Sequence, residues 1–326
     1  MTSATSCDGR AGSPRGRRYT ITLLDGPGGD ASVPAAVLGD VLAALGEGVR
    51  RAAQLHVEGL SAGEGPEAVW LDSFSLLDVA GVGPSSPVIK VEAPTFTEAA
   101  PAHFQADQQV PTLVGAGPLD VSLTAVDLFL SVLRAALAGG EDPLMDRPML
   151  DACVRFARSP GPAFGGVLLE TATGVPRVEI RAEEAARLER LRDETPRPRA
   201  VRVVGVLDAF SSERRALRLR LRDGTTFPGR TAALDPEALP GLLGARVAIE
   251  GRAFSRPSGR VSIVDVDYLG PAREHGDELF ERVPGPLPAP LLQDERSGVA
   301  AIFGTWPGDE TDEELLAALE RVRRER

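Results

Sequence analysis

Lysine is almost absent from this sequence, in which Lys90 stands alone beside 35 arginines. We attribute this bias to a GC-rich genome, so the number of arginines is by itself weak evidence for nucleic-acid binding. The formal net charge is −11 over 326 residues, which argues against a chain that coats nucleic acid or anionic lipid with its whole surface. Binding to a polyanion is therefore expected only at a local basic patch.

Cysteine and histidine are also scarce. Cys7 and Cys153 lie far apart in the chain, so neither a disulfide framework nor a metal knuckle is indicated and a reducing cytoplasm fits best. The three histidines, His56, His103 and His275, have no second metal ligand at a useful spacing. We expect His56, near a predicted helix end, to lie at the surface.

Catalytic signatures are missing as well, since the sequence holds no nucleophile elbow, Cys–His pairing or kinase motif. The sequence therefore predicts no catalytic residue, no metal and no cofactor. This favours a non-enzymatic protein, and the alternative is an enzyme with an unrecognised site between its domains.

The sequence has no long apolar run. Residues 1–18 end in the pair Arg17-Arg18, but Ile21–Leu24 is too short for the apolar core of a twin-arginine export signal. No stretch approaches the roughly 20 residues of a membrane-spanning helix. Apolar residues make up 43% of the chain and charged residues 25%, which is typical of globular proteins. We expect a cytoplasmic protein without membrane contact, with a disordered leader over residues 1–18.

Residues 19–195 are predicted to form an N-terminal α+β domain. Tyr19–Leu24 has the alternation of a strand, and apolar residues at helical spacing predict a helix from the N-cap Ser32 to about Leu55. Strands over Trp70–Val79 and Pro87–Ala93 complete a β-α-β-β order. The elements predicted further on are a helix over Leu123–Leu137, a helix over Pro148–Ala157, a hairpin of Gly166–Thr171 and Pro176–Ile180, and a helix over Glu183–Glu194.

Residues 199–270 have the most regular pattern in the chain. The predicted elements are strands over Val201–Phe210, Leu217–Leu221 and Thr225–Thr231, a helix over Asp235–Leu243, and strands over Arg246–Phe254 and Arg260–Tyr268. This β-β-β-α-β-β order resembles that of an OB-fold, a five-stranded Greek-key barrel that often binds oligonucleotides. SH3-like barrels and other small β-rich modules are alternatives.

The predicted barrel carries a basic patch of five arginines, which are Arg214, Arg215, Arg218, Arg220 and Arg222. The last three alternate with leucines, so a strand places three guanidinium groups on one face and three leucines on the other. Residues 199–270 contain twelve Arg against eight Asp and Glu, a net charge of +4. Such a row suits the phosphates of a nucleic acid, although single-strand binders usually add aromatic stacking platforms, which are few here. An ordinary solvated face or a site for an acidic protein partner is the alternative.

Two further patterns are weaker candidates for binding. The loop Gly26–Asp30 lies between a predicted strand and helix but matches neither G-x-G-x-x-G nor the P-loop, so we expect a plain turn. Asp265 and Asp267 are two apart on a predicted strand, where they would share a face and approach a divalent ion if Asp208 lay nearby. We expect solvated carboxylates on the outer face of the barrel instead.

The end of the chain is predicted to be a docking helix, residues 299–326, on a proline-rich linker, residues 271–298. Thr311 and Glu314 match a capping box. The helix is too short to be stable alone, so it packs its apolar stripe on another protein or on this chain, and a frayed tail is the further alternative. The stripe and a nearby aromatic anchor comprise Trp306, Leu315, Leu316, Leu319 and Val322.

The segment Ile302–Leu316 (IFGTWPGDETDEELL) resembles the C-terminal tail of small bacterial proteins that are classed as toxin–antitoxin components or left uncharacterised. The resemblance implies a tethered tail that wraps and occludes a partner protein, with Trp306 and the leucines of the stripe as anchors. The favoured hypothesis is therefore a non-enzymatic adaptor that engages a protein partner through this tail. The alternative is a nucleic-acid-binding protein that acts through the barrel.

Overall fold

The structure, a computed structural model, describes residues 16–26, 33–63, 68–75, 77–82, 87–105, 118–139, 145–211, 215–231, 240–273 and 280–281. All of them belong to one compact unit, Met1–Pro286. Several predicted features lie outside the described residues, namely residues 1–15 of the leader, Cys7, Arg214, His275 and the whole tail with Trp306, Leu315, Leu316, Leu319 and Val322.

An antiparallel sheet of five strands forms the N-terminal part, in the order β2-β3-β1-β4-β5. The strands are β1 (Arg17–Leu24), β2 (Asp78–Val82), β3 (Val88–Ala93), β4 (Gly166–Thr171) and β5 (Arg177–Arg181). Central strand β1 pairs with β3 on one side and β4 on the other. Because β1 begins at Arg17, residues 17 and 18 belong to the sheet and not to a disordered leader.

Six helices accompany the sheet in the described part of the chain. They are α1 (Ala35–Glu58), α2 (Asp72–Ser75), α3 (Phe96–Ala99), α4 (Ala125–Ala138), α5 (Arg147–Arg158) and α6 (Ala182–Glu194). Alternate residues of β1, namely Tyr19, Ile21 and Leu23, are buried in one core with α1, α4 and α5. Helix α1 follows Pro34, so Ser32, which lies outside the described residues, is not its N-cap.

The strand predicted over Trp70–Val79 is wrong for most of its length. A 3₁₀ turn over Val69–Leu71 runs into the short helix α2, and strand β2 begins only at Asp78. Trp70 and Phe74 are four residues apart, and their rings meet edge to face with centroids 5.7 Å apart. Aromatic residues favour strands in general, but this spacing puts both on one side of a helical turn, where they join the core.

Residues 199–271 form a closed five-stranded barrel. Its strands are β6 (Arg199–Ser211), β7 (Ala216–Arg220), β8 (Thr226–Arg230), β9 (Arg246–Ser255) and β10 (Val261–Pro271). They follow one another in the order β6-β7-β8-β10-β9, and β9 pairs again with β6. Only the β8–β10 pair is parallel among these described strands. The predicted α+β class and the small barrel are thus confirmed, and the barrel fits an OB-like fold.

The helix predicted over Asp235–Leu243 is not found in its described part. Residues 235–239 lie outside the described residues, and Pro240–Leu242 is a 3₁₀ turn that leads to β9.

A buried ion pair network joins the barrel to the N-terminal domain. Arg230 and Asp265 are neighbours on the parallel strands β8 and β10, and Glu58 comes from the last turn of α1. Arg230 Nη2 lies 3.1 Å from Glu58, and Nη1 lies 3.6 Å from Asp265. Beside them, Leu60 packs with Phe254 and Ile263 in a small apolar cluster. The outer face of β10 at Ile263 and Asp265 is therefore covered by the N-terminal domain.

Replacing Glu58 by alanine is expected to lower the free energy of unfolding by about 3 kcal/mol, because the buried Arg230 loses its nearest carboxylate. The control is Glu189→Ala, which removes a more exposed partner of Arg158 and should cost less than about 1 kcal/mol. Urea unfolding at 25 °C measures both values. Equal losses in the two variants would show that the Arg230 network contributes no more than a surface ion pair.

Candidate functional site

The arginine row consists of Arg218 and Arg220 on β7 and of Arg222 in the turn that follows the strand. Leu217, Leu219 and Leu221 are buried in the barrel core. The side chains of Arg218, Arg220 and Arg222 are 55%, 56% and 80% exposed. Arg218 and Arg220 are alternate residues of β7, so their side chains leave the strand on the same face. Arg215 lies in the turn before β7 with a positive φ of 49°.

A bulge in β6 brings one carboxylate to this row. The register between β6 and β7 shifts between Leu207 and Ala209, so Asp208 is the extra residue. Arg218 donates from Nε to Asp208 at 3.0 Å, and Arg220 Nε lies 3.7 Å from the same carboxylate. One negative charge is thus shared by two arginines, which orients them and leaves the row positive.

A groove of about 460 Å³ opens beside the row, between β7, β6 and β9. Its floor is the segment Val204–Val206 of β6, and its rim carries the side chains of Arg220, Arg222 and Arg246. Val206 lies opposite Arg220 on one neighbouring strand and opposite Arg246 on the other. Gly205 allows close packing here, since a Cβ atom would lie 2.9 Å from the backbone oxygen of Arg220. The groove therefore combines an apolar floor with a cationic rim.

The segment after β10 contacts this groove. Glu281 accepts hydrogen bonds from Arg246 Nη2 at 2.7 Å and from Arg222 Nη1 at 3.4 Å. Next to it, Phe280 lies under the guanidinium of Arg202, 5.8 Å from ring centroid to Cζ. Both residues belong to the stretch predicted as a linker. A carboxylate from this chain thus occupies the cationic rim of the groove.

Arg246 and Glu281 were not among the binding residues predicted from the sequence. The OB-like strand order offered a signal for Arg246, because the fourth strand of such a barrel lies beside the first. Nothing in the local pattern marked Glu281, whose contacts are with strands far away in sequence.

The aspartates considered for metal binding do not come together. Asp265 is buried against Arg230, which corrects the expectation of a solvated carboxylate. A register shift between Val266 and Tyr268 puts Asp267 at a bulge, where it is exposed. Asp208 pairs with the arginine row instead. Within the described ranges, no three His, Cys, Asp or Glu side chains are placed to hold a metal ion.

The other candidate groups are structural or isolated. His56 is buried on α1, contrary to the expected surface position, and His103 lies in an exposed turn after α3. Cys153 is buried on α5, and this burial raises the pKa of its thiol, which therefore stays protonated at neutral pH. Gly26 follows β1, and the rest of the Gly26–Asp30 loop lies outside the described residues.

No helix in the described part of the chain combines the length and hydrophobicity needed to cross a membrane. Comparisons of the chain with known protein families, with curated proteins and with solved structures give no match.

Proposed function

We propose that this protein binds single-stranded nucleic acid on the outer surface of its barrel. The observation that carries the proposal is the exposed row of Arg218, Arg220 and Arg222, which continues into a groove with an apolar floor and a cationic rim. Arg218, Arg220 and Arg222 contact successive phosphates, and a base packs on Val206, the partly exposed residue of the floor. Positively charged grooves that follow the backbone bind single strands with little sequence preference.

The OB-like barrel supports this proposal, because proteins of this architecture bind oligonucleotides over their second and third strands. Arg218 and Arg220 are on β7, the second strand of the barrel, whereas the groove extends from there toward the first and fourth strands, β6 and β9. The side of the barrel around Phe254 and Ile263 packs against Leu60 of the N-terminal domain. The β7 surface is left open to a long ligand.

Charge reversal of Arg218, Arg220 and Arg222 to Glu is expected to weaken binding of an oligo(dT) probe at least about tenfold, because three phosphate contacts become repulsive. The plot of log K against log salt should also lose about 2 units of slope, from about 0.7 per phosphate contact on a single strand. Fluorescence anisotropy at several salt concentrations measures both quantities.

The matched control reverses Arg134, Arg177 and Arg190, three exposed arginines of the N-terminal domain. It changes the net charge by the same amount at another place. Equal weakening in both variants would show that binding depends on overall charge and not on the arginine row. The absence of salt-sensitive binding by the unmodified protein would contradict the proposal.

Replacing Glu281 by glutamine is expected to strengthen oligo(dT) binding about threefold to tenfold, since the carboxylate competes with phosphate for Arg222 and Arg246. Glu170→Gln is the control, since it removes one negative charge from β4 of the N-terminal sheet. The same anisotropy titration measures the effect. Weaker binding in Glu281→Gln would show that Glu281 supports the groove and does not compete for it.

We infer a second function from the sequence of the tail, in which a capping box and an apolar stripe describe a helix that needs a surface to pack on. The tail docks a protein partner through Leu315, Leu316, Leu319 and Val322, with Trp306 as a further anchor. This role is independent of the barrel.

The double substitution Leu315→Asp and Leu319→Asp is expected to abolish capture of proteins from the native host by the tagged chain, because it places charges in the apolar stripe. Oligo(dT) binding should be unchanged. Mass spectrometry of the retained proteins, compared with a variant that ends before Val283, measures the capture. Retention of the same proteins by all three chains would contradict docking through the tail.

A further inference from the structure

A second cavity, of about 620 Å³, lies in the N-terminal domain between α1, α5 and the segment Ser61–Gly63. Its volume is within the range of small-molecule sites. The segment beside it is fixed, because the buried Asp146 caps α5 and also accepts hydrogen bonds from the backbone and hydroxyl of Ser61. The cavity thus has walls held by buried contacts.

Among the described residues that line this cavity, arginines outnumber carboxylates. Arg50, Arg51 and Arg155 contribute three guanidinium groups, against the two carboxylates of Glu47 and Asp72. Glu47 accepts a hydrogen bond from Arg51 Nε at 3.0 Å on one oxygen and from Arg155 on the other. One carboxylate therefore holds two guanidinium groups side by side, and the five charged residues described here have a formal net charge of +1.

Donor groups remain available in this cluster. Arg155 uses Nη1 for Glu47, and none of its other N–H groups is hydrogen bonded to a residue that the structure describes. Its side chain is 62% exposed. Arg51 is held more firmly, since it also donates to the backbone oxygen of Ser61 at 3.5 Å. A fixed guanidinium beside an accessible one suits a carboxylate or phosphate group, which arginine binds through paired hydrogen bonds.

The floor of the cavity is a bare stretch of helix. Ala43 and Gly46 line it from α1, and a Cβ atom on Gly46 would meet no atom within 4 Å beyond the backbone of its own helix. Gly48, two residues later on the same helix, has no such space, since a Cβ atom there would overlap the ring of Phe129. The open space at Gly46 lets a ligand approach the helix backbone.

We propose that this cavity binds a small anionic molecule through a phosphate or carboxylate group. The oxyanion contacts Arg155 and Arg51, and the remainder of the molecule lies over Ala43 and Gly46. The site is separate from the barrel groove, and it does not depend on binding of nucleic acid.

Isothermal titration calorimetry of the full chain with pyrophosphate and with citrate tests this proposal. At least one probe is expected to bind at submillimolar concentration, and neutral glucose is not. Arg155→Gln should weaken binding at least about tenfold through loss of a charge-assisted hydrogen bond. Arg158→Gln, on the same helix but paired with Glu189, should leave it unchanged.

A steric variant distinguishes binding inside the cavity from attraction of an anion by charge alone. Gly46→Leu fills the floor and should abolish binding, whereas Gly39→Leu, on an exposed part of the same helix with equally open surroundings, should not. Both substitutions favour helix formation. Binding must persist when Arg218, Arg220 and Arg222 are reversed, because the barrel is not involved. Absence of binding by both probes, or binding that survives Gly46→Leu and Arg155→Gln, would overturn the proposal.

Discussion

Burial of the Arg230 guanidinium determines how the barrel is attached to the rest of the protein. A buried cation needs compensating charge, and here Asp265 comes from the neighbouring barrel strand while Glu58 comes from α1. The two carboxylates belong to different domains, so the cation is fully compensated only when the domains are in place. The adjacent contact of Leu60 with Phe254 and Ile263 excludes water from this junction.

This attachment determines which surface of the barrel is covered and which is left exposed. Strands β8 and β10 meet the N-terminal domain at Arg230 and Asp265, and the exposed row of Arg218 and Arg220 lies on β7. The same residue type thus has two roles set by its surroundings. Arg230 is buried between carboxylates and stabilises a junction, whereas the β7 arginines share one carboxylate and stay in water, where they are available to phosphate.

Local pattern was sufficient for much of the fold. Alternation with leucine correctly predicted that Arg218 and Arg220 lie outside the barrel. Strand and turn signals predicted its five strands along the chain. Contacts between distant segments were not predictable in this way. Asp265 was correctly expected on the outer face, but no pattern within its strand shows that α1 covers that face. The predicted surface position of His56 was wrong because its helix packs against a surface that forms only in the folded domain. The contacts of Glu281 were not predictable because this residue lies in a stretch with the composition of a linker.

The central claim is that nucleic acid binds across β7 and the adjoining groove. Amide chemical shifts of the ¹⁵N-labelled full chain, recorded while oligo(dT) is added, test it most directly because they report the place of binding together with its strength. The account predicts the largest shifts at residues 216–222, 204–206 and 246, with salt-dependent amplitude. Shifts concentrated in the N-terminal domain, or no shifts at all, would contradict it.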